Sequence, residues 1–316
     1  PKNTNLYSMN KVFTLLTVLL SVLLTGMFTS FSAQTEITPP YFQQTVNHNI
    51  HVSLDDVEHE LNAEIWTNYT NNSEESLEYL WYHVWPNAYS SGKSALAKQQ
   101  LGGGNTFLFY AMAKDLGGID GLDFKVDGES TSWEFHTEHP DIVKILLSTP
   151  LIPGETIEIH TPFKVRIPSG KISRLGHIGQ SYQITQWYPK PAVYDRDGWH
   201  EMPYLDQGEF YSEFGSFDVT ITLPDNYTIG ATGDMPLSKE NDNESELARL
   251  NKIDQDTRKY FEQKDNLGLT KNALGEFPVS SRLIKTLHYH QENIHDFAWF
   301  ADKRFKVLKD SIELPH

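Results

Sequence analysis

The sequence contains no cysteine in its 316 residues. A disulfide framework, a thiolate metal site and a thiol nucleophile are therefore excluded, and any metal chemistry must use His, Asp or Glu. Positive charge is also scarce, with 26 Lys and Arg against 42 Asp and Glu and a formal net charge of −16. This balance disfavours nucleic acid and anionic membrane surfaces as partners, because both require a basic face.

Signatures of hydrolytic chemistry are missing as well. An HExxH pair would place two His ligands on one helix face, but His200-Glu201 lacks the second His and Pro203 follows it. No G-x-S-x-G nucleophile elbow is present. The glycine-rich "LGGGN" (101–105) lacks the strand-to-helix frame of a phosphate cradle, and "DLGGIDG" (115–121) lacks EF-hand spacing and predicts a surface turn.

The histidines offer one pattern that could hold a metal ion. His288 and His290 alternate in "HYHQENIH", which places both on one face of a strand. Such pairs are more often half-exposed sheet residues. His136 and His139 lie three apart, but Pro140 follows and the context is strand and turn. We therefore predict no metal site within this chain.

Residues 9–33 have the form of a signal peptide. A short basic start is followed by the apolar run "VFTLLTVLLSVLLTGMF" and by "TSFSAQT", whose small residues suit cleavage near Ala33. Thr, Ser and Gly interrupt the run and no stop-transfer charges flank it, so a membrane anchor is disfavoured. Residues 1–8 precede Met9 and are interpreted as upstream read-through. We expect an exported protein (periplasmic, cell-surface or secreted) without stable membrane insertion after cleavage near Gln34.

Period-2 alternation dominates the mature chain and predicts a mainly β, antiparallel saddle or sandwich domain. It is clearest in "NIHVSLD" (49–55) and "ELNAEIWTNYTN" (60–71). "LEYLWYHVWPN" (77–87) predicts a longer buried strand, and "SFDVTITLPDNYTIGATG" (216–233) predicts a strand pair.

Two stretches break this alternation. Residues 91–101, "SGKSALAKQQL", predict a short helix. Residues 239–266 are highly charged and predict a solvated insertion that is part loop and part helix, after which the chain returns to strand. The β-rich domain is expected to span residues 34–311.

Three segments together resemble the N-terminal region of the aminopeptidase N family, the gluzincin zinc exopeptidases. They begin with "HVSLDDVEHELNAEIWTNYTNNSEESLEYLWYHVWPNAY". The second runs from "QITQWYPKPAVYD" through "GWH" to "EFYSEFGSFDVTITLPDNYTIGATG", and the third is "ENIHDFAWFADKRF". Each is weak alone, but the combination is specific and covers residues 41–315.

The resemblance implies substrate-binding roles for Gln186 and Tyr188. In the family a Thr-Gln dipeptide, followed two positions later by an acidic or amide residue, binds the free amino end of the substrate. Thr185 and Gln186 match the dipeptide, and Tyr188 takes the place of the acid. A charge-assisted hydrogen bond from an ammonium to a carboxylate contributes about 1.5–3 kcal/mol, more than a bond to a neutral hydroxyl such as that of Tyr188. The resemblance therefore does not imply strict aminopeptidase specificity. On an extended backbone both side chains would share one face and Trp187 would point into the sheet; ordinary sheet packing is the alternative role.

The resemblance also implies zinc in a full-length parent, whose ligands are not in this chain. In the family the HExxH helix and the distal Glu ligand follow this region, and residues 312–316 are interpreted as the start of that missing catalytic domain. Peptide substrates would then be cleaved only by the longer protein. Two alternatives stay open: a secreted non-catalytic β-domain that binds glycan or protein through the aromatics of residues 180–200, and an inactive homologue acting as an interaction module. No sequence feature sets an oligomeric state.

Overall fold

A computed structural model describes residues 41–263, 275–309 and 313. The predicted read-through segment 1–8, the signal peptide 9–33 and all but one residue of 312–316 lie outside these residues. The described part is a mainly β domain with antiparallel sheets, as the alternation predicts.

Within the described residues, eighteen strands are numbered in chain order. They are β1 (Thr45–Asp55), β2 (Glu60–Thr70), β3 (Leu77–His83), β4 (Gly118–Asp120), β5 (Lys125–Val126), β6 (Glu129–Ser130), β7 (Trp133–Phe135), β8 (Ile142–Leu151), β9 (Thr156–Arg166), β10 (Gly176–Ile178), β11 (Ser181–Ile184), β12 (Lys190–Pro191), β13 (Tyr194–Asp195), β14 (Gly198–Trp199), β15 (Gly215–Pro224), β16 (Thr228–Ala231), β17 (Ile284–Ile294) and β18 (Trp299–Asp302). The helices are α1 (Ala95–Gly102) and α2 (Asn243–Gln263), with two 3₁₀ helices at Trp85–Tyr89 and Ala113–Asp115.

The strands form three sheets and one hairpin. The large sheet has the order β17-β15-β1-β2-β9-β5-β6, and β4 also pairs with β9. Two four-stranded sheets have the orders β12-β3-β8-β7 and β10-β11-β18-β16, and β13 pairs with β14. Among the ladders between these strands, β1 and β15 run parallel and every other pair is antiparallel.

Alternation decides which face of each strand is buried. In β1 the residues Val46, Ile50 and Val52 point into the core, while Asn49 and His51 between them are exposed. Successive side chains of a strand leave on opposite faces, so this pattern fixes the register of the sheet. Buried side chains from all three sheets join in one continuous core.

The strand predicted over residues 77–87 is shorter than its apolar run. β3 ends at His83, and a 3₁₀ helix begins at Trp85. Pro86 has no N–H to donate to a ladder and its fixed φ suits the first turn of a helix, so the strand stops there. That part of the prediction is wrong.

The sheet partners of two further segments also differ from the sequence prediction. β15 and β16 were expected to pair, but β15 lies in the large sheet and β16 pairs with β18. The surface turn predicted over residues 115–121 contains β4, a short strand on β9. Gly117 permits this approach, because a Cβ there would lie 2.7 Å from Cδ of Pro168.

Both predicted helical regions contain a helix. The Oγ of Ser94 accepts a hydrogen bond from the N–H of Ala97 at 3.2 Å and caps α1. The charged insertion 239–266 contains α2, which is tied to the large sheet by the buried ion pair of Glu246 and Lys285 at 2.7 Å. Within the described ranges, no helix has the length and apolar character needed to cross a membrane.

Candidate functional site

The aromatic stretch 180–200 leaves its sheet at the end of β11 and turns at Gln186. The φ angle of Gln186 is +52°, in the left-handed region. For a residue with a side chain this conformation costs about 1–2 kcal/mol. The expectation of an extended backbone from Gln186 to Tyr188 is therefore wrong, but their side chains still meet at one group.

The side-chain amide of Gln186 is held at both ends. Its Nε2 donates to Oδ2 of Asp296, and its Oε1 accepts a 2.7 Å hydrogen bond from Nζ of Lys190. A carboxylate can only accept and an ammonium can only donate, so these two partners fix which way the amide points. The oxygen of Gln186 faces a cation, and its nitrogen faces an anion.

Asp296 is the centre of this cluster. Its Oδ1 accepts hydrogen bonds from the hydroxyl of Tyr188 at 2.9 Å and from the N–H of Phe297 at 3.0 Å. Nζ of Lys190 lies 3.6 Å from the same oxygen. The side chain of Asp296 is 21% exposed, whereas Gln186 and Tyr188 are buried. Asp296 is thus the member of the cluster that reaches the surface.

Lys190 is a buried cation, and Pro189 and Pro191 restrict the backbone on either side of it. Its Nζ lies 4.6 Å from the centre of the Trp85 ring, a cation–π distance. Burial lowers the pKa of Lys190, while the carboxylate of Asp296 opposes this shift. Gln186, Asp296 and Trp85 together replace the solvation that this ammonium loses.

Two buried imidazoles lie near Lys190 and are uncharged. Burial, and secondly the charge of Lys190, lower the pKa of both His48 and His83 to about 3. Nδ1 of His48 bonds to Oγ1 of Thr67 at 3.0 Å, and Nε2 of His83 accepts from the N–H of Met202 at 3.2 Å. Neither imidazole therefore competes with Lys190 for the carboxylate at neutral pH.

Trp187 and Tyr188 differ in what they contribute. Trp187 is fully buried and donates from Nε1 to the carbonyl oxygen of Phe297 at 3.0 Å, so the prediction that it points into the core is confirmed. Burial, then the charge of Asp296, raises the pKa of Tyr188 well above its ordinary value. Its hydroxyl therefore stays protonated and acts as a donor to Asp296.

Thr185, the first residue of the matched dipeptide, carries an unsatisfied group. Its Oγ1 is buried and has no hydrogen-bond partner among the described residues. A buried hydroxyl left unpaired costs about 1–3 kcal/mol. Thr185 and Gln186 thus each carry a local energetic cost, an unpaired hydroxyl and a left-handed backbone. The surrounding contacts must compensate for both costs.

The second half of the aromatic stretch lies nearer the surface. Tyr194 and Trp199 are half-buried, and their rings contact each other with centroids 4.9 Å apart. Asp195 accepts from the hydroxyl of Tyr211 at 2.9 Å and pairs with Nε2 of His200 at 2.8 Å. The stretch thus divides into a buried anchor around Trp187 and a half-exposed hairpin.

The described residues do not fit a zinc site. No group of three or more His, Asp or Glu among them has an arrangement that could hold a metal ion. His288 and His290 do share one strand face, and both bond to Oδ1 of Asp218, at 3.1 and 3.0 Å. Hydrogen bonds to one common oxygen explain this pair without a metal.

A separate depression in the described surface lies elsewhere. It measures about 630 Å³ and opens on the outer face of the large sheet, where outward side chains such as His51, Glu64 and Lys164 line it. None of the residues that hold the Gln186 amide lines it. Its lining consists of outward-facing side chains of the sheet and a neighbouring turn, and we place the candidate site at Gln186.

Comparison with known proteins gives structural neighbours only. No protein-family model matches the chain, and no curated protein matches it. The M1 zinc metallopeptidase from Deinococcus radiodurans is similar over 82% of this chain and 42% of that chain, at 12% identity and a TM-score of 0.42. A mutant of a two-domain M1 zinc metallopeptidase bound to L-arginine matches over the same shares, at 11% and 0.41.

Leukotriene A4 hydrolase from Saccharomyces cerevisiae is also similar, over 88% of this chain and 32% of that chain, at 8% identity and a TM-score of 0.38. The chain spans about two fifths of the length of the first two structures.

Proposed function

We propose that this chain is the substrate-cleft domain of an exported zinc metallopeptidase with aminopeptidase-like activity. In this proposal Gln186 contacts the amino end of a bound peptide, and the zinc is held by residues outside this chain. The observation that carries the proposal is the Gln186 turn. A glutamine in the left-handed region, with both ends of its amide fixed by charged side chains, stands at the position that the family resemblance assigns to substrate binding.

The chemistry of the amide suits this role. Backbone strain persists where surrounding contacts over-determine it, and such residues cluster at functional sites. Lys190 occupies one lone pair of the Gln186 oxygen, and a carbonyl oxygen has two. No second donor to this oxygen is found among the described residues, so its other lone pair is the acceptor that we propose for a peptide ammonium, and the fixed amide would lose little entropy on binding it.

The test uses the complete gene product that contains this chain. It should hold one zinc per chain, and it should hydrolyse amino-acid anilides with a free amino group faster than acetylated ones. Gln186→Ala should lower kcat/KM by a factor that corresponds to about 1–3 kcal/mol of lost transition-state stabilisation, because it removes a desolvated hydrogen-bonding group. Gln183→Ala is the matched control, since Gln183 is an exposed glutamine on the preceding strand.

Each outcome points to a different function. Equal rates for the Gln186 and Gln183 variants would remove Gln186 from the substrate site. A product without zinc or peptidase activity would contradict the proposal. Such a result would favour the secreted non-catalytic β-domain that binds glycan or protein.

A further inference from the structure

We propose that Asp296 supplies the carboxylate that pairs with the ammonium of a bound peptide. This inference rests on the proposed function and names the specificity group of the same site. Tyr188 occupies the position in the sequence where the resemblance expects an acid. The structure brings a carboxylate to that position from a loop 108 residues further along the chain.

The hydrogen bonds of Asp296 leave one lone pair of its carboxylate without a donor among the described residues. Oδ1 accepts from Tyr188 and from the N–H of Phe297, so both of its lone pairs have donors. Oδ2 accepts from Nε2 of Gln186 alone among the described residues. One acceptor position on Oδ2 is therefore open, next to the amide that the proposed function already places at the substrate.

Lys190 does not saturate this carboxylate. Its Nζ makes its hydrogen bond to Gln186 at 2.7 Å and lies 3.6 Å from Oδ1 of Asp296, the oxygen that Tyr188 and Phe297 already use. A second cation can approach Oδ2 without displacing Lys190. The partial exposure of Asp296 gives such a cation access from solvent.

The tyrosine at position 188 then has a physical reason. A carboxylate at 188 would lie beside Asp296, and two adjacent like charges are unfavourable. A hydroxyl in the same place donates to Asp296 and orients it. Tyr188 is therefore a positioning residue that acts through Asp296.

Kinetics on the complete gene product test this assignment. Asp296→Asn should lower kcat/KM for peptides with a free amino end by roughly 10- to 100-fold, because these peptides carry an ammonium. The kcat/KM for acetylated peptides, which carry none, should stay unchanged. Asp218→Asn, which alters a half-buried carboxylate bonded to His288 and His290, should change neither rate. An unchanged ratio of free to acetylated rates in Asp296→Asn would overturn the assignment.

A second variant separates the loss of the carboxylate from any loss of folding. Asp296→Asn leaves Lys190 buried without its counter-charge, so Lys190→Met/Asp296→Asn removes both charges together. The double variant should fold and should show the same loss of preference for the free amino end. A double variant that folds and keeps the wild-type preference contradicts the assignment.

Binding to the present 316-residue chain separates this inference from the proposed function. L-phenylalaninamide should shift the side-chain amide resonance of Gln186 saturably, and N-acetyl-L-phenylalaninamide should not. The shift should vanish in the Lys190→Met/Asp296→Asn variant. If the gene product has no peptidase activity but the amine still binds through Asp296, the proposed function fails and the carboxylate assignment holds. Equal binding of the two probes would overturn the assignment.

Discussion

The hydroxyl of Tyr188 donates a 2.9 Å hydrogen bond to Oδ1 of Asp296. This contact joins the turn after β11 to the loop before β18, and the two strands pair directly beside it. The turn at Gln186 is thereby held from two sides, by the β11–β18 ladder and by the carboxylate. Its conformation depends on residues far away in the chain.

Lys190 and Asp296 should be energetically coupled. Asp296→Asn should lower the free energy of unfolding by about 3–5 kcal/mol, because it leaves the buried ammonium of Lys190 without its counter-charge. Lys190→Met/Asp296→Asn should recover part of this loss, since no buried charge is left alone. Urea unfolding of the two single variants and the double variant measures the coupling. Additive effects would show that the two charges do not stabilise each other.

The left-handed backbone at Gln186 predicts an unusual order of variants. Gln186→Gly should be more stable than Gln186→Ala by about 1 kcal/mol, because glycine adopts positive φ without penalty and both variants lose the amide. At Gln183, on strand β11, the order should reverse, because glycine in a strand is destabilising. The denaturant midpoints of the four variants measure these two orders of stability. If the alanine variant is the more stable one at both positions, the turn at Gln186 is not left-handed in solution.

Trp187 should contribute to stability more than to recognition. Trp187→Ala should lower the free energy of unfolding by about 3–5 kcal/mol, since the ring is fully buried and its N–H bonds to Phe297. Tyr110→Ala is the control, because Tyr110 is 74% exposed and its loss should change stability by no more than about 0.5 kcal/mol. A Trp187 variant as stable as that control would contradict the buried position.

Glu213 should make stability depend on pH. Burial raises its pKa from 4.5 to about 7, although backbone N–H groups of Tyr194 and Gln44 oppose the shift. Between these two values the folded protein holds a proton that the unfolded chain releases. The contribution of Glu213 is therefore fully present below about pH 4.5 and is lost as the pH rises through about 7.

Glu213→Gln isolates this contribution. Relative to the wild type, the variant should gain about 3 kcal/mol in unfolding free energy between pH 4.5 and pH 8, because it no longer has to ionise. His48 and His83 have the opposite effect, because their lowered pKa values make the folded protein less stable as the pH falls below 6.5. Both proteins contain these histidines, so their effect cancels in the difference between the variant and the wild type. Glu209→Gln, at an exposed glutamate, should show no such gain. A pH-independent difference would mean that Glu213 is ionised in the folded state.

Much of the fold could be predicted because its signal is local. The period-2 pattern over 60–71 corresponds closely to β2 (Glu60–Thr70), where every second side chain is in contact with the core. Strand partners are not local. The short link from Pro224 to Thr228 suggests a hairpin, yet packing sends β15 and β16 into different sheets.

The candidate site could be predicted only in part, for the same reason. Gln186 and Tyr188 were identified from a motif within one segment. Asp296 was missed, although it lies in the quoted "ENIHDFAWFADKRF", because nothing in the sequence brings it to a residue 110 positions earlier. The position of Lys190 between two prolines can be read from the sequence. Its burial cannot, because it depends on Trp85 and on that same distant carboxylate.

The parallel pairing of β1 with β15 has a consequence for folding. Asn47 and Ser216, which bond across this pair, are 169 residues apart, so the middle of the large sheet closes only after most of the chain is available. Loop-closure entropy makes such long-range pairing slow. Until β15 arrives, β1 presents an unpaired edge with alternating apolar side chains, which is a template for pairing with another chain. Refolding yield should therefore fall as protein concentration rises, and a synthetic β15 peptide added during refolding should raise it.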